Sequence, residues 1–214
     1  MQDDLSVKEY FEEQDKKDKP IKFIISLFIL FIFIISFIPY YALKLDPNPN
    51  LNVIHSIDIG NQISNTSDHI ESMSKVTGTI NIGSYKVIAN KIATESCSES
   101  NVCYAKAMFY FVRDNIQYVS DPEKQYVQSP SETLISGGGD CEDKSILLAV
   151  LLEAIGMDAD VGLTQNHAFV RVQVPSALWR YKSDEDYVYL DPSGTIKFGE
   201  VSFSNKEIKG FIEL

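Results

Sequence analysis

Gly137-Gly138-Gly139-Asp140-Cys141-Glu142-Asp143 is the stretch whose reading decides the fold. Three glycines let backbone pass close to its surroundings, and Asp140 is a residue type that caps helix N-termini. The apolar run that follows, with Ile146, Leu147, Val150, Leu151 and Ile155 at helical spacing and Gly156 as the stop, predicts a helix over 141–155. Cys141 therefore falls in the first turn, where unpaired N–H groups and the helix dipole favour a thiolate. The same N–H groups could receive a developing oxyanion. The alternative is a buried structural cysteine, but such a residue would not need three glycines before it. Asp140, Glu142 and Asp143 surround the thiol with carboxylates, which should raise its pKa. The expectation is that they cap the helix and point away, with neutralisation by a cation as the alternative.

Downstream the pattern changes to period two with β-branched residues, predicting strands over 159–164, 167–174 and 187–190 and a hairpin-like pair over 195–203. His167 opens one strand and Asp191 closes another, 26 and 24 residues apart along the chain from Cys141 onward. Alone, a histidine or an Asp-Pro turn is bland. In the order Cys, His, Asp they supply a thiol nucleophile, its base and the group that orients the base. Upstream, apolar spacing predicts helices over 84–95 and 101–118. Ser129-Pro130-Ser131-Glu132 is a capping box with proline at the first helical position, opening a short helix that Gly137–Gly139 ends. Helices first and an antiparallel sheet after them make an α+β fold. Trp179, in the loop between the strands of His167 and Asp191, is expected to pack, with a place in a substrate cleft as the alternative.

Residues 103–192 resemble the core of the transglutaminase-like superfamily. The resemblance is carried by Phe111-Val112-Arg113-Asp114-Asn115-Ile116-Gln117-Tyr118, Gln128 to Leu134, Gly138 to Gly156, His167-Ala168 and Leu190-Asp191-Pro192. It implies a papain-like arrangement with Cys141 as nucleophile, His167 as base and Asp191 as orienter. The implied reaction is acyl transfer from an amide, to water in peptidases and amidases or to an amine in cross-linking transglutaminases. Similar exported bacterial proteases with an Asp-Cys-Glu-Asp motif use calcium, which by resemblance implicates Asp140 and Glu142 as oxygen ligands.

The N-terminal region reads separately. Phe23–Leu43 is a run of 21 residues without a charge, about 31 Å long as a helix and sufficient for a bilayer core of about 30 Å. A signal peptide would have a shorter apolar region and small residues at its exit, where this chain has Tyr40 and Tyr41. Lys16, Lys17, Lys19 and Lys22 precede the run and Lys44 alone follows it, so the positive-inside rule places 1–22 in the cytoplasm. The expected organisation is a cytoplasmic tail (1–22), a transmembrane anchor (23–43), an extracytoplasmic stalk (44–74) with a short strand near 53–59 and an N-glycosylation acceptor at Asn65, and a catalytic domain (75–214).

The chain carries a formal charge of −11; the tail holds five lysines and seven acids, leaving 14 basic and 23 acidic residues and a net charge of −9 beyond it. That argues against nucleic acid and anionic lipid head groups as partners. Cys97 and Cys103 sit close in Cys-Ser-Glu-Ser-Asn-Val-Cys, while Cys141 stands apart. In an oxidising exterior the near pair could close a small loop and leave one free thiol. Together these features read as a membrane-anchored cysteine hydrolase acting on polypeptide or amide substrates. No cofactor is required on this reading, and calcium is an option. A cross-linking transglutaminase and a non-catalytic binding module of the same fold are the alternatives.

Overall fold

From Ser145 to Leu152 no residue of the central helix meets solvent. A helix that is apolar on every side is a core helix rather than a surface one, and Cys141–Ala154 is built that way: Leu148, Ala149 and Leu152 are as buried as the expected face, and it is Ile155 that lies nearer the surface. Each large aliphatic side chain so buried contributes about 1.5–3 kcal/mol.

The computed structural model describes residues 20–37, 46–56, 80–121, 126–204 and 207–214. The chain divides into two units, Met1–Leu45 and Asp46–Leu214. In the first, α1 (Pro20–Phe37) is an 18-residue helix of mean hydropathy 2.6, with none of its side chains buried. The expected cytoplasmic tail up to residue 19, the end of the expected span, most of the stalk and the Asn65 acceptor lie outside the described residues.

The second unit is an α+β domain. Its helices are α2 (Leu51–Ile54), α3 (Lys86–Ser96) after a 3-10 turn at Ile82–Tyr85, α4 (Asn101–Asn115), α5 (Pro130–Ser136) and α6 (Cys141–Ala154). Two short strands, β1 (Gln117–Tyr118) and β2 (Gly138–Gly139), pair in parallel. The main sheet holds β3 (Ala159–Leu163), β4 (Ala168–Gln173), β5 (Lys182–Asp184), β6 (Tyr187–Leu190) and β7 (Gly210–Ile212), in the order β5-β6-β4-β3-β7, every pairing antiparallel. Val161 stands opposite Val170 and Val170 opposite Leu190, so one face of the sheet is aliphatic, and α6 packs on β3 and β4 there.

Three expectations are corrected among the described residues. The 195–203 segment is not a hairpin. Phe198 leaves the chain's extended path to pack edge-on against Phe109 and Tyr181, at centroid distances of 6.0 and 5.3 Å, so its apolar residues serve the core from a loop. The remaining sheet edge is taken by β7 instead. The 51–54 segment is helical rather than extended, and it is not a free stalk. Ile54 is completely buried, the Asn50 N–H donates to the Ser96 carbonyl at 2.8 Å, and Asp46 and Asn48 bind the buried Lys106 ammonium. The domain thus takes in residues well before Lys75. Cys97 and Cys103 are joined as a disulfide between α3 and α4, with Cα atoms 5.9 Å apart, and Cys141 is the free thiol.

Candidate active site

The loop that presents Cys141 is held from three sides. Gly137 closes α5 in the left-handed conformation, φ +66°, which glycine adopts without the Cβ penalty. The Gln117 N–H donates to the Gly137 carbonyl at 2.8 Å and the Val119 N–H to the Gly139 carbonyl at 3.0 Å, pinning the loop to β1. A Cβ on Gly139 would lie 2.7 Å from the Cβ of Asp143, so the close pass foreseen for the glycines is needed here. Asp140 Oδ1 accepts from the Glu142 and Asp143 N–H groups at 3.0 and 3.4 Å, and Asp143 Oδ2 accepts from the Asp140 N–H at 3.2 Å. This reciprocal capping box starts α6 with Cys141 as its first residue. Asp143 Oδ1 also accepts from the Gln128 N–H at 2.7 Å, joining the approach to α5 to the same turn.

Asp140 and Asp143 therefore cap as expected, but Glu142 does not point away. Cys141 Sγ donates to Glu142 Oε2 at 3.1 Å. The capping box engages the acids on either side, and the longer Glu142 side chain folds back over the sulfur. Burial first, and then this carboxylate, push the Cys141 thiol up to about 12. Burial, contact with Glu142 and the charge of Asp143 raise Asp140 to about 7. Asp140, Cys141 and Glu142 offer ligand atoms all within 4.8 Å of one another. The carboxylates of Asp140 and Glu142 lie close together, and hard oxygens of this kind suit calcium. The sulfur is a soft ligand and does not suit it.

His167 immediately precedes β4 and Asp191 immediately follows β6, neighbouring strands that bring the two side chains together. His167 Nε2 donates to Asp191 Oδ2 at 2.8 Å. Asp191 is only 3% exposed. Burial works to raise Asp191, but hydrogen bonds from His167 and Ser193 outweigh it and hold the carboxyl below its ordinary value. That bond to Asp191 also raises His167, against the opposing effect of burial. With Nε2 engaged, Nδ1 is the imidazole nitrogen left for proton exchange. The N–H of Ala168, the next residue, is directed at the Cys141 sulfur and favours its ionised form. Cys141 is 9% exposed.

Two contributors escaped the sequence reading. Ser193 binds the second Asp191 oxygen, a role an Asp-Pro-Ser turn does not announce without its histidine. Lys144, buried in the first turn of α6, donates to the Ile116 and Arg113 carbonyls at 2.7 and 3.3 Å and closes the end of α4. Its position three residues after Cys141 was visible, but its partners lie some thirty residues upstream. A cavity of about 370 Å³ opens beside His167, lined by residues 164–167 with Ser202, Phe203, Glu207 and Lys209. Trp179 is 85% exposed and is neither packed into the core nor part of that cavity.

Residues 87–192 match the profile described as the transglutaminase-like superfamily. The chain carries a transglutaminase-like domain. Among solved structures this domain is similar to a protein of Cytophaga hutchinsonii provisionally assigned as a cysteine protease, at 16% identity and a TM-score of 0.39, over 52% of this chain and 37% of that one. A provisionally assigned protease of Parabacteroides distasonis is similar at 16% identity and a TM-score of 0.42, over 54% of this chain and 24% of the other. The chain thus spans well under half the length of both. Calcium-bound LapG of Legionella pneumophila is similar at 16% identity and a TM-score of 0.39, over 64% of this chain and 83% of LapG. Curated protein sequences contain no match to the chain.

Proposed function

We propose that the transglutaminase-like domain is a cysteine hydrolase, a peptidase or amidase, in which Cys141 is the nucleophile, His167 the base and Asp191 the residue that orients it. The observation that carries this reading is the pairing of His167 with the buried Asp191, 2.8 Å across, formed by the residue next to the one whose N–H faces the Cys141 sulfur. A thiol held neutral by burial and by Glu142 needs a base, and a histidine raised by a buried carboxylate is one.

In this mechanism the thiol proton passes to Nδ1 of His167 as sulfur bonds to the amide carbon, and the carbonyl electron pair moves onto oxygen. The backbone N–H of Cys141 itself, outside the Asp140 cap that engages those of Glu142 and Asp143, is the first-turn donor for the charge that develops there. The C–N bond then breaks and the amine leaves with the proton from His167. Water, deprotonated by His167, attacks the thioester and releases the carboxylic acid, returning the proton to sulfur. Asp191 remains ionised throughout and stabilises the imidazolium.

Asp140 and Glu142 are the residues that would hold calcium, and the bound ion would neutralise both carboxylates, including that of Glu142, which accepts the thiol proton. The substrate is a polypeptide or other amide outside the membrane. Helix α1, uncharged from Phe23 onward, anchors the chain, and Lys16, Lys17, Lys19 and Lys22 at its N-terminal side keep residues 1–22 in the cytoplasm. Of the two ends of the site, the acidic one favours a second reading. A thiol raised to about 12 also suits a domain that binds without reacting.

The experiment is to incubate the protein with p-nitrophenyl acetate and examine Cys141 by mass spectrometry. An acetyl thioester that turns over in water, and is absent in Cys141→Ala, supports the hydrolase. Turnover only when an amine is added supports cross-linking, and no adduct supports the binding module.

A further inference from the structure

Asp191 has two carboxylate oxygens, and the proposed mechanism uses one. Oδ2 accepts from His167. Oδ1 accepts from the Ser193 N–H at 3.1 Å and from the Ser193 hydroxyl in a second, shorter bond. The hydroxyl oxygen also lies 3.5 Å from His167 Nε2. Ser193 therefore stands against both members of the pair.

The two bonds from Ser193 do different work. The N–H bond closes the Asp-Pro-Ser turn, as an aspartate commonly does with the N–H two residues on. Any residue at 193 except proline keeps that bond. The hydroxyl bond is not needed for the turn. It adds a second and shorter bond to the oxygen that the N–H already holds, so Oδ1 is held from two directions while Oδ2 faces Nε2. Held at Oδ1 by the longer N–H bond alone, the carboxylate is freer to turn and to present Oδ2 less squarely to the imidazole. Asp191 follows the last residue of β6, so the backbone sets its Cβ direction but not its carboxylate plane.

We infer that Ser193 is a positioning residue for the hydrolase: its hydroxyl locks the Asp191 carboxylate and thereby keeps the neutral His167 proton on Nε2, leaving the Nδ1 lone pair as the base. This inference rests on the His167–Asp191 assignment of the proposed function. It adds a residue outside the Cys, His, Asp set, and its role is to select a tautomer rather than to touch substrate.

The test uses the full chain labelled with 15N-histidine, in wild type, Ser193→Ala, Ser193→Thr and Asp191→Ala. The 15N spectrum reads the tautomer of neutral His167, and the rate of Cys141 alkylation by iodoacetamide at one fixed pH reads its consequence. The expected result is a single Nε2–H tautomer in wild type and a mixture with Nδ1–H in Ser193→Ala. Alkylation should fall about tenfold, the rate equivalent of one hydrogen bond to a charged group. Ser193→Thr, which restores a hydroxyl, should recover both. A single Nε2–H tautomer and an unchanged rate in Ser193→Ala, with Asp191→Ala showing the mixture, overturn the role of Ser193 and leave the base assignment intact. If Asp191→Ala also leaves the tautomer unchanged, the orienting role of Asp191 falls, and that of Ser193 with it.

Discussion

The Cys141 sulfur lies 3.1 Å from Glu142 Oε2, so the one free thiol of the domain donates its proton to a carboxylate one residue away. A like charge at that distance opposes ionisation, on top of the cost of burial. Replacing Glu142 with glutamine removes the charge and keeps the shape. Iodoacetamide should then alkylate Cys141 at pH 8 about tenfold faster than in wild type, the effect of roughly one unit of thiol pKa. Equal rates would show that the carboxylate does not restrain the thiol.

The paired His167 and Asp191 make stability depend on pH in a definite window. His167 is raised by its bond to Asp191, so its contribution is complete below the ordinary histidine value of about 6.5 and is lost as pH rises through the folded value. Asp191 is lowered, so its contribution is complete above the ordinary carboxyl value of about 3.9 and is lost as pH falls through the folded value. The Tm difference between wild type and Asp191→Asn should therefore be largest between roughly pH 4 and 6.5 and shrink on both sides. A difference independent of pH would mean the pair is not ionised in the folded protein.

Calcium should stabilise the domain through Asp140 and Glu142. Asp140 is raised to about 7 by burial and by its acidic neighbours, so its ionisation near neutral pH works against the fold. A cation bound there reverses that sign. Saturating calcium at about one hundred times its Kd should add about 2.7 kcal/mol at pH 7.5, read as a rise in Tm, and the double variant Asp140→Asn, Glu142→Gln should abolish the rise. Unchanged Tm and alkylation rate after exhaustive chelation and calcium addition would remove the metal from the account.

Much of the site was legible because its parts are local in sequence. The capping box at Ser129, the cap at Asp140, the glycine stop after the short helix and the strand at Tyr187–Leu190 depend on residues within four positions of each other, and the structure has them where the sequence suggests. What escaped is set by distant chain. Glu142 looks like any first-turn acid until the capping box engages its neighbours. Phe198 reads as a strand residue until Phe109 and Tyr181 are beside it. Asp46 reads as linker because its partners, Lys106, Arg180 and Tyr181, come 60 to 135 residues later.

That last relationship has a measurable consequence. Lys106 is 1% exposed and is held by Asp46, by Asn48 Oδ1 at 2.8 Å and by the Pro47 carbonyl at 3.3 Å. Removing the segment strands a buried ammonium, which costs about 3–5 kcal/mol. Loss of Ile54 adds about 1.5–3 kcal/mol more. A fragment starting at Lys75 should unfold at markedly lower urea concentration than one starting at Asp46, and Asp46→Ala should reproduce part of the loss. Equal midpoints would show that residues 46–56 only rest on the domain.

The account stands or falls on whether His167 serves Cys141. The most direct measurement is the pH dependence of Cys141 alkylation by iodoacetamide, in calcium-containing buffer, for wild type and His167→Ala on a chain that retains Asp46. The predicted result is a wild-type thiol that reacts in the neutral range and a His167→Ala thiol that loses that reactivity by about a hundredfold or more, the scale of a positioned base. Two superimposable curves that rise only in the alkaline range would contradict it, leaving Cys141 a buried thiol beside a histidine that does not act on it.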